Sequence, residues 1–518
     1  MGNKLYANKQ VVICTLLVFI SMLIFFAIVH PIYPFDGDDV HYMSHFISLP
    51  VPYTGLWNPT RMLHEYLHPL TGYLAAFVIY PFSGDYLNST SLALAIVLAV
   101  FISALFVSLY RLFQALTGNK SICAILGVYA IALCFALFRS KSFNNVHLFL
   151  SRTYTTYLAY TVPNIVNSIA VCELMRLFVK HKSLSISSSS YLRSSLMLVL
   201  LYFCIFSIQF ALVILLSFAL SFLLIQFFDP TRPKEKLFLR IRHYCYDIAH
   251  KHHITIIIIV GTLASMFLET RGQRAAWDSG NTFFGSIFSI EFIKRIYQSA
   301  KYLLGTMVYF NPLISLLLAA VAIIAVILWI YNRKKEMNSP IVSIAKICFA
   351  SGLIYAACNC VLAAIAGPFL NGIAYTLSYS FGLYFYIVLF ASLSLLYVLE
   401  TFKPMRLLFP LLTIGVLLIA IDSKWPYADS FYSNPQGSVT GKTAEKVALM
   451  NSYIEQISQA DRRGEDAVVL IIPEYPTDNN WPLSYGWSES LPSTLYKHRV
   501  TSRVIKVEMV IDANTPVP

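Results

Sequence analysis

The apolar run Val11-Val-Ile-Cys-Thr-Leu-Leu-Val-Phe-Ile-Ser-Met-Leu-Ile-Phe-Phe-Ala-Ile-Val-His30 is followed, two residues on, by Tyr33-Pro-Phe-Asp-Gly-Asp-Asp-Val-His-Tyr42. This junction decides the fold. Residues 11–30 are long and apolar enough to cross a bilayer as one helix. Asp36, Asp38 and Asp39 then stand where hydrocarbon gives way to water, a place where carboxylates are costly to desolvate and need a partner or a task. Asp36-Gly37 reads as a turn that exposes the two following carboxyls. The plainer alternative is a polar turn that caps a helix.

Composition extends this reading to the whole chain. Of 518 residues, 57% are hydrophobic and only 12% charged, with a mean hydropathy of +0.64, against about a quarter charged in soluble domains. The chain therefore reads as a polytopic membrane protein. Its net charge of +12 sits in short loops between apolar runs, as membrane orientation requires, and does not suggest nucleic acid as a partner. The nine cysteines lie in or beside apolar runs and none falls in the polar tail, so neither a disulfide framework nor a CxxC metal site is indicated.

With Lys4 and Lys9 ahead of it, the first span should leave the cytoplasm as an uncleaved anchor. Residues 31–90 form a long extracytoplasmic loop, within which 60–82 reads as an interfacial or re-entrant helix. Further spans are expected near 91–110, 121–138 and 162–180, two within 194–227 that break near Ser207-Ile208-Gln209, and others near 254–268, 302–331, 347–366, 373–398 and 407–421. The total is about eleven crossings. Residues 229–253, with Arg232, Lys234, Lys236, Arg240, Arg242 and Lys251, are the strongest cytoplasmic marker.

The chain thus divides into a transmembrane domain, 1–421, and an extracytoplasmic C-terminal domain, 422–518. In the latter, 444–460 has helical spacing, and 467–472 and 504–511 read as strands, a small α/β unit. Trp481, Tyr485 and Trp487 suit sugar stacking and structural anchoring equally.

Asp38-Asp39-Val40-His41-Tyr42, placed just after the first span, resembles the acidic signature in the first extracytoplasmic loop of the GT-C superfamily, membrane glycosyltransferases that use polyprenyl-phosphate sugars. The layout is most similar to the bacterial O-antigen glucosyltransferases of the Gtr type. The resemblance implies an α-helical, GT-C-like polytopic fold in the bacterial inner membrane with the C-terminal domain in the periplasm. It implies Asp38 as the catalytic base, Asp39 as its partner and Asp36 as the rival. A hexose such as glucose would pass from the lipid donor to a periplasmic glycan or lipid-linked acceptor, with room for a divalent cation, Mg or Mn.

A carboxylate suits proton removal from the acceptor hydroxyl, and the phosphate leaving group calls for cations. Candidates on the outer side are Arg61 and His64, then Arg139, Lys141 and Arg152, then Arg271, Arg274, Lys294, Arg295 and Lys301, with Arg152, Arg271 and Arg274 favoured for their bidentate guanidinium. Lipid headgroups or C-terminal carboxylates would occupy the same residues equally well. Tyr154, Tyr157 and Tyr160 recur on one face that could line a groove for the polyprenyl chain or sugar, although interfacial tyrosines are common in such proteins.

Two readings compete. His64-Glu65-Tyr66-Leu67-His68 matches the H-E-x-x-H of zinc peptidases, but no third ligand motif follows and Pro69 adjoins the second histidine. A lipid-oligosaccharide flippase or polymerase also fits a basic, aromatic-rich polytopic chain, and it would not need Asp38 and Asp39 as a pair.

Overall fold

The computed structural model describes residues 2–46, 61–138, 147–151, 153–185, 191–228, 237–271, 289–332, 339–365, 377–422, 443–475, 480, 483 and 485–515. The first apolar run forms α1, Gly2–Ile24, and continues through a π-type turn, Phe25–Val29. A short helix α2, Gly37–Tyr42, carries the acidic stretch. The next helix, α3, Met62–Leu74, runs on through Ala75–Ile79 and Tyr80–Ser83 and stops at Gly84, whose φ of 68° favours a residue without Cβ.

Helix α4, Tyr86–Thr117, is capped by Asp85 and turns at Gly118 and Asn119 directly into α5, Lys120–Ala136. So short a connection makes the two antiparallel neighbours. Then follow α6, Tyr154–His181, α7, Tyr191–Ile205, and α8, Gln209–Phe227, with the break between α7 and α8 at the expected serine. Helix α9, Leu237–Lys251, is amphipathic and meets α10, His253–Arg271, at 88°. The remaining helices are α11, Ile290–Gly305, α12, Pro312–Tyr331, α13, Pro340–Ile365, α14, Leu377–Thr401, and α15, Met405–Asp422.

Seven described helices are long and apolar enough to cross a membrane, or eight if the bent pair is one span. The other expected crossings, at 121–138, at the start of 194–227 and at 407–421, are shorter apolar helices of 10–17 residues. Expectation and structure differ at 302–331. Asn311 caps α12 by accepting from the Leu313 and Ile314 N–H groups, and Pro312 takes the first helical position, so residues 302–305 close the amphipathic α11 and do not begin the span.

Helices α6 and α14 are largely enclosed by the bundle, whereas α1 and α12 leave most of their apolar side chains on its outside. That exposed surface, including Leu16, Leu17, Ile323 and Ile327, is what lipid would cover. Backbone contacts sort the connections into two ends. At one, the Leu184 N–H donates to the Lys251 carbonyl (2.9 Å). At the other, the Leu148 N–H donates to Cys134 O (2.8 Å) and the Asn311 N–H to Leu137 O (2.7 Å). The first end holds Lys180, Lys182 and Lys251, which makes it the basic end.

The C-terminal unit sits at the opposite end. It comprises α16, Thr443–Arg463, β1, Ala467–Pro473, α17, Tyr485–Lys497, and β2, Lys506–Asp512. The strands pair in parallel, from Ala467 with Lys506 to Pro473 with Asp512, an arrangement that needs the intervening crossover through α17. Trp487 is fully buried and packs edge-on against Tyr453 at 5.6 Å, so it anchors this unit. Trp481 and the Tyr485 side chain lie outside the described residues.

Candidate functional site

The site forms where α2 is held between the bundle and the C-terminal unit. Asp36 caps α2, its carboxylate accepting from the Asp39 N–H at 2.8 Å. From that start, Asp38 and Asp39 are successive helical residues about 100° apart around the axis. Asp38 is exposed, whereas Asp39 is fully buried. The expectation that the Asp36-Gly37 turn exposes both following carboxyls is therefore corrected: Asp39 turns inward because α2 lies against the N-terminus of α6. There its two oxygens accept from the Thr155 N–H (2.7 Å) and the Phe35 N–H (3.1 Å).

These bonds come from neutral backbone groups. Burial drives the Asp36 carboxyl well above the ordinary carboxylate range, with Asp39 nearby adding to the rise. Burial also lifts Asp39 to about 6, against the pull of the Thr155 and Phe35 hydrogen bonds. The two inner acids brace the loop, and the outer one faces solvent from a fixed helix.

Helix α17 grips the other side of α2. The Thr494 hydroxyl donates to the Val40 carbonyl (2.8 Å) and shares a 2.7 Å hydrogen bond with Ser44. His498 donates through Nε2 to Met43 O (3.1 Å), and its Nδ1 shares a 2.6 Å hydrogen bond with the Tyr86 hydroxyl. Burial lowers His498 to about 4. Gly72 of α3 passes so close that a Cβ there would lie 2.2 Å from Met43 O, which ties α3 to the same joint.

The H-E-x-x-H residues line the inner wall. His64, Glu65 and His68 are all buried, with the two imidazoles 4.4 Å apart in a T shape and the Tyr42 ring 5.5 Å from each. His68 donates through Nδ1 to its own helix at His64 O (3.0 Å), and burial lowers it to about 4. Among the described residues no three His, Cys, Asp or Glu side chains are grouped to hold a metal ion. Each Asp39 oxygen accepts one N–H bond.

Among the described residues the expected phosphate-binding cations disperse. Arg61 is 3.1 Å from Glu269 and is committed to that ion pair. Lys294 and Lys301 are exposed on α11, and Arg295 is 3.9 Å from Glu291 on the same helix. Arg139, Lys141, Arg152, Arg274 and the side chain of Arg271 lie outside the described residues. Tyr154 and Tyr157 are closed off from solvent, with the Tyr157 hydroxyl 3.2 Å from His30 Nε2, while Tyr160 is half-buried against Tyr379 at 5.0 Å.

The sequence reading did not single out His41, His45 and Lys497. His41 and His45 stack face to face on the Asp38 side of the α2–α17 joint, with centroids 4.3 Å apart and planes 7° from parallel. Their four-residue spacing was a usable helical signal. Lys497 had none, since packing alone brings it near.

Fold and site together define a multi-pass helical membrane protein with an acid-bearing polar site at the end opposite its basic loops. The sequence matches no family model and no curated protein. Among solved structures the chain is similar to the Archaeoglobus fulgidus oligosaccharyltransferase crystallised as a complex with Zn and sulfate, at 14% identity and a TM-score of 0.38. The match takes in 88% of this chain and 55% of that one, so the chain spans just over half that protein's length.

Proposed function

We propose that this chain is a GT-C-type membrane glycosyltransferase that moves a hexose, such as glucose, from a polyprenyl-phosphate donor to a glycan or lipid-linked acceptor. The observation that carries the reading is the division of labour in the acidic stretch: of three neighbouring carboxylates, two are buried as braces and Asp38 alone faces solvent. A carboxylate so held is placed to act as a base without reorganising. Asp38 takes the proton of the acceptor hydroxyl as its oxygen bonds to the anomeric carbon. The bond from that carbon to the donor phosphate oxygen breaks, and the electron pair leaves on the phosphate. Displacement in one step inverts the anomeric centre.

By the positive-inside tendency, the basic end faces the cytoplasm and the Asp38 end the outer side of a bacterial inner membrane. The O-antigen layout of the Gtr type supports the choice of glucose.

The test is transfer in vitro from a panel of polyprenyl-phosphate sugars. Asp38→Asn should lower kcat about a thousandfold, the scale of losing a general base, while thermal stability stays within about 0.5 kcal/mol of wild type. Transfer retained in Asp38→Asn would sink the mechanism.

A further inference from the structure

The cations expected to receive the donor phosphate are paired elsewhere, dispersed or outside the described residues, yet a group of protonatable side chains begins one helical turn from Asp38. His41 follows Asp38 by three residues on α2, so the two share a face at about 5–6 Å between Cβ atoms. His45 continues that face from just beyond the helix, its ring stacked on His41. Both imidazoles spend Nδ1 on the protein. His45 Nδ1 donates to His41 O at 2.8 Å with Ser44 Oγ 2.9 Å away, and His41 Nδ1 lies 3.5 Å from Ser490 Oγ. No described residue hydrogen-bonds either Nε2, and both rings are only half-buried. Lys497, exposed at the end of α17, completes the group.

We propose that the stacked His41–His45 pair and Lys497 form the binding site for the donor's phosphate group, beside the base Asp38. The proposal rests on the transfer reaction above and names the groups that would receive its leaving group.

The electrostatics of the joint agree. Desolvation lowers both His41 and His45; the Lys497 ammonium lowers them further, and His41 also opposes a charge on His45. On α2, Asp38 alone raises His41. From α17 the facing groups are Lys497, the buried and neutral His498 and, one residue from Ser490, the exposed Glu489; the Arg499 guanidinium is turned over the Phe77 ring at 5.7 Å. Burial and the neighbouring ammonium oppose protonation of the two imidazoles, and among the described residues only Asp38 favours it at His41, so an anion at this face would be stabilising. A bound phosphate would answer their mutual repulsion, and each imidazole would take up a proton and donate through Nε2. Binding should therefore consume protons and strengthen as pH falls.

The experiment uses the full chain in lipid nanodiscs with two probes, a polyprenyl monophosphate carried in the bilayer and inorganic phosphate in the buffer. Affinity and proton uptake are read by calorimetry in buffers of different ionisation enthalpy. Affinity for the lipid probe should rise about tenfold from pH 8 to pH 6 with net proton uptake, and fall about tenfold in His41→Ala and about fivefold in Lys497→Met. Lys497 is exposed, so its variant should fold normally. Inorganic phosphate showing the same pH trend assigns the site to the phosphate itself; binding by the lipid probe alone, still lost in His41→Ala, assigns it to phosphate delivered from the bilayer. Either supports the site.

Binding independent of pH and unchanged in both variants overturns it. If the wild type transfers sugar and Asp38→Asn does not, while His41→Ala and Lys497→Met leave phosphate affinity and donor KM unchanged, this site falls and the transferase stands. If both variants lose phosphate but the wild type transfers no sugar, the reverse holds.

Discussion

Carboxylates at the two ends of the bundle are satisfied in opposite ways. At the basic end Glu173 lies between two guanidinium groups, Arg111 at 3.1 Å and Arg176 at 2.5 Å. At the other end Asp39 is more deeply buried, yet the groups that answer it are backbone N–H donors, and its nearest acid is another carboxylate. An ion pair cancels charge and fixes geometry, whereas neutral dipoles fix geometry and leave the charge standing. At Asp36 and Asp39 burial without a cation keeps proton affinity high; at the basic end the ion pairs hold helices α4 and α6 together.

The largest expected effect that would break this contrast is at Asp39. Asp39→Ala strands the Phe35 and Thr155 N–H groups in a buried setting and should cost about 3 kcal/mol by thermal or denaturant unfolding in detergent. The pH dependence has a definite sign. A carboxyl raised to about 6 in the fold, from about 3.9 unfolded, favours the folded state most fully below pH 4. That contribution is lost as pH rises through 6, by about 3 kcal/mol in all. His498, lowered to about 4, runs the other way and weakens the fold as pH drops from 6.5 towards 4. The comparison of wild type with Asp39→Ala reads the joint slope of Asp39 and Asp36, since Asp39 also raises its neighbour. An alanine variant as stable as wild type, with the same slope, would show that the buried acid braces nothing.

At the basic end the matching change is Glu173→Gln. It leaves Arg176, with a side chain 12% exposed, facing a neutral amide, and should cost about 2 kcal/mol. The contribution of Arg111 is small because that side chain is 47% exposed. Adding salt should narrow only the small part of the Glu173→Gln gap owed to half-exposed Arg111 and leave that for Asp39→Ala unchanged, since exposed charges are screened and buried ones hardly. Equal salt sensitivity at both ends would erase the distinction.

Much of the bundle was legible because span length and apolarity are local properties. The run 11–30, the break before Gln209 and the strands of the tail are each written within a few residues. Proline and asparagine at 311–312 were equally local, but the length of the apolar run around them masked the start of α12. The site was legible only in part. That acids, tyrosines and histidines gather after the first span is plain from sequence, but which acid turns inward is decided by Thr155, 116 residues further on. The partners of α2 on α17 lie about 450 residues away, a distance no spacing rule reaches. Arg61 shows the converse: it carries the right chemistry for phosphate, and Glu269, 208 residues on, engages it.

The smallest expected effect tests whether the Asp38 end owes its order to the C-terminal unit. Thr494→Val preserves shape and removes one hydroxyl, so the Val40 carbonyl loses its donor, while Ser44 keeps the His45 ring as a partner. A single buried hydrogen bond of this kind is worth about 1 kcal/mol. The loss should fall on the joint, because α2 is short and is held from outside more than by its own turns. Amide exchange across 37–44 should then quicken about fivefold, with exchange around Glu173 unchanged, and sugar transfer should fall by a similar factor through kcat, since Asp38 rides on the loosened helix. Faster exchange at both ends would mean that the bundle responds as one body and that α17 does not specifically hold the acid in place.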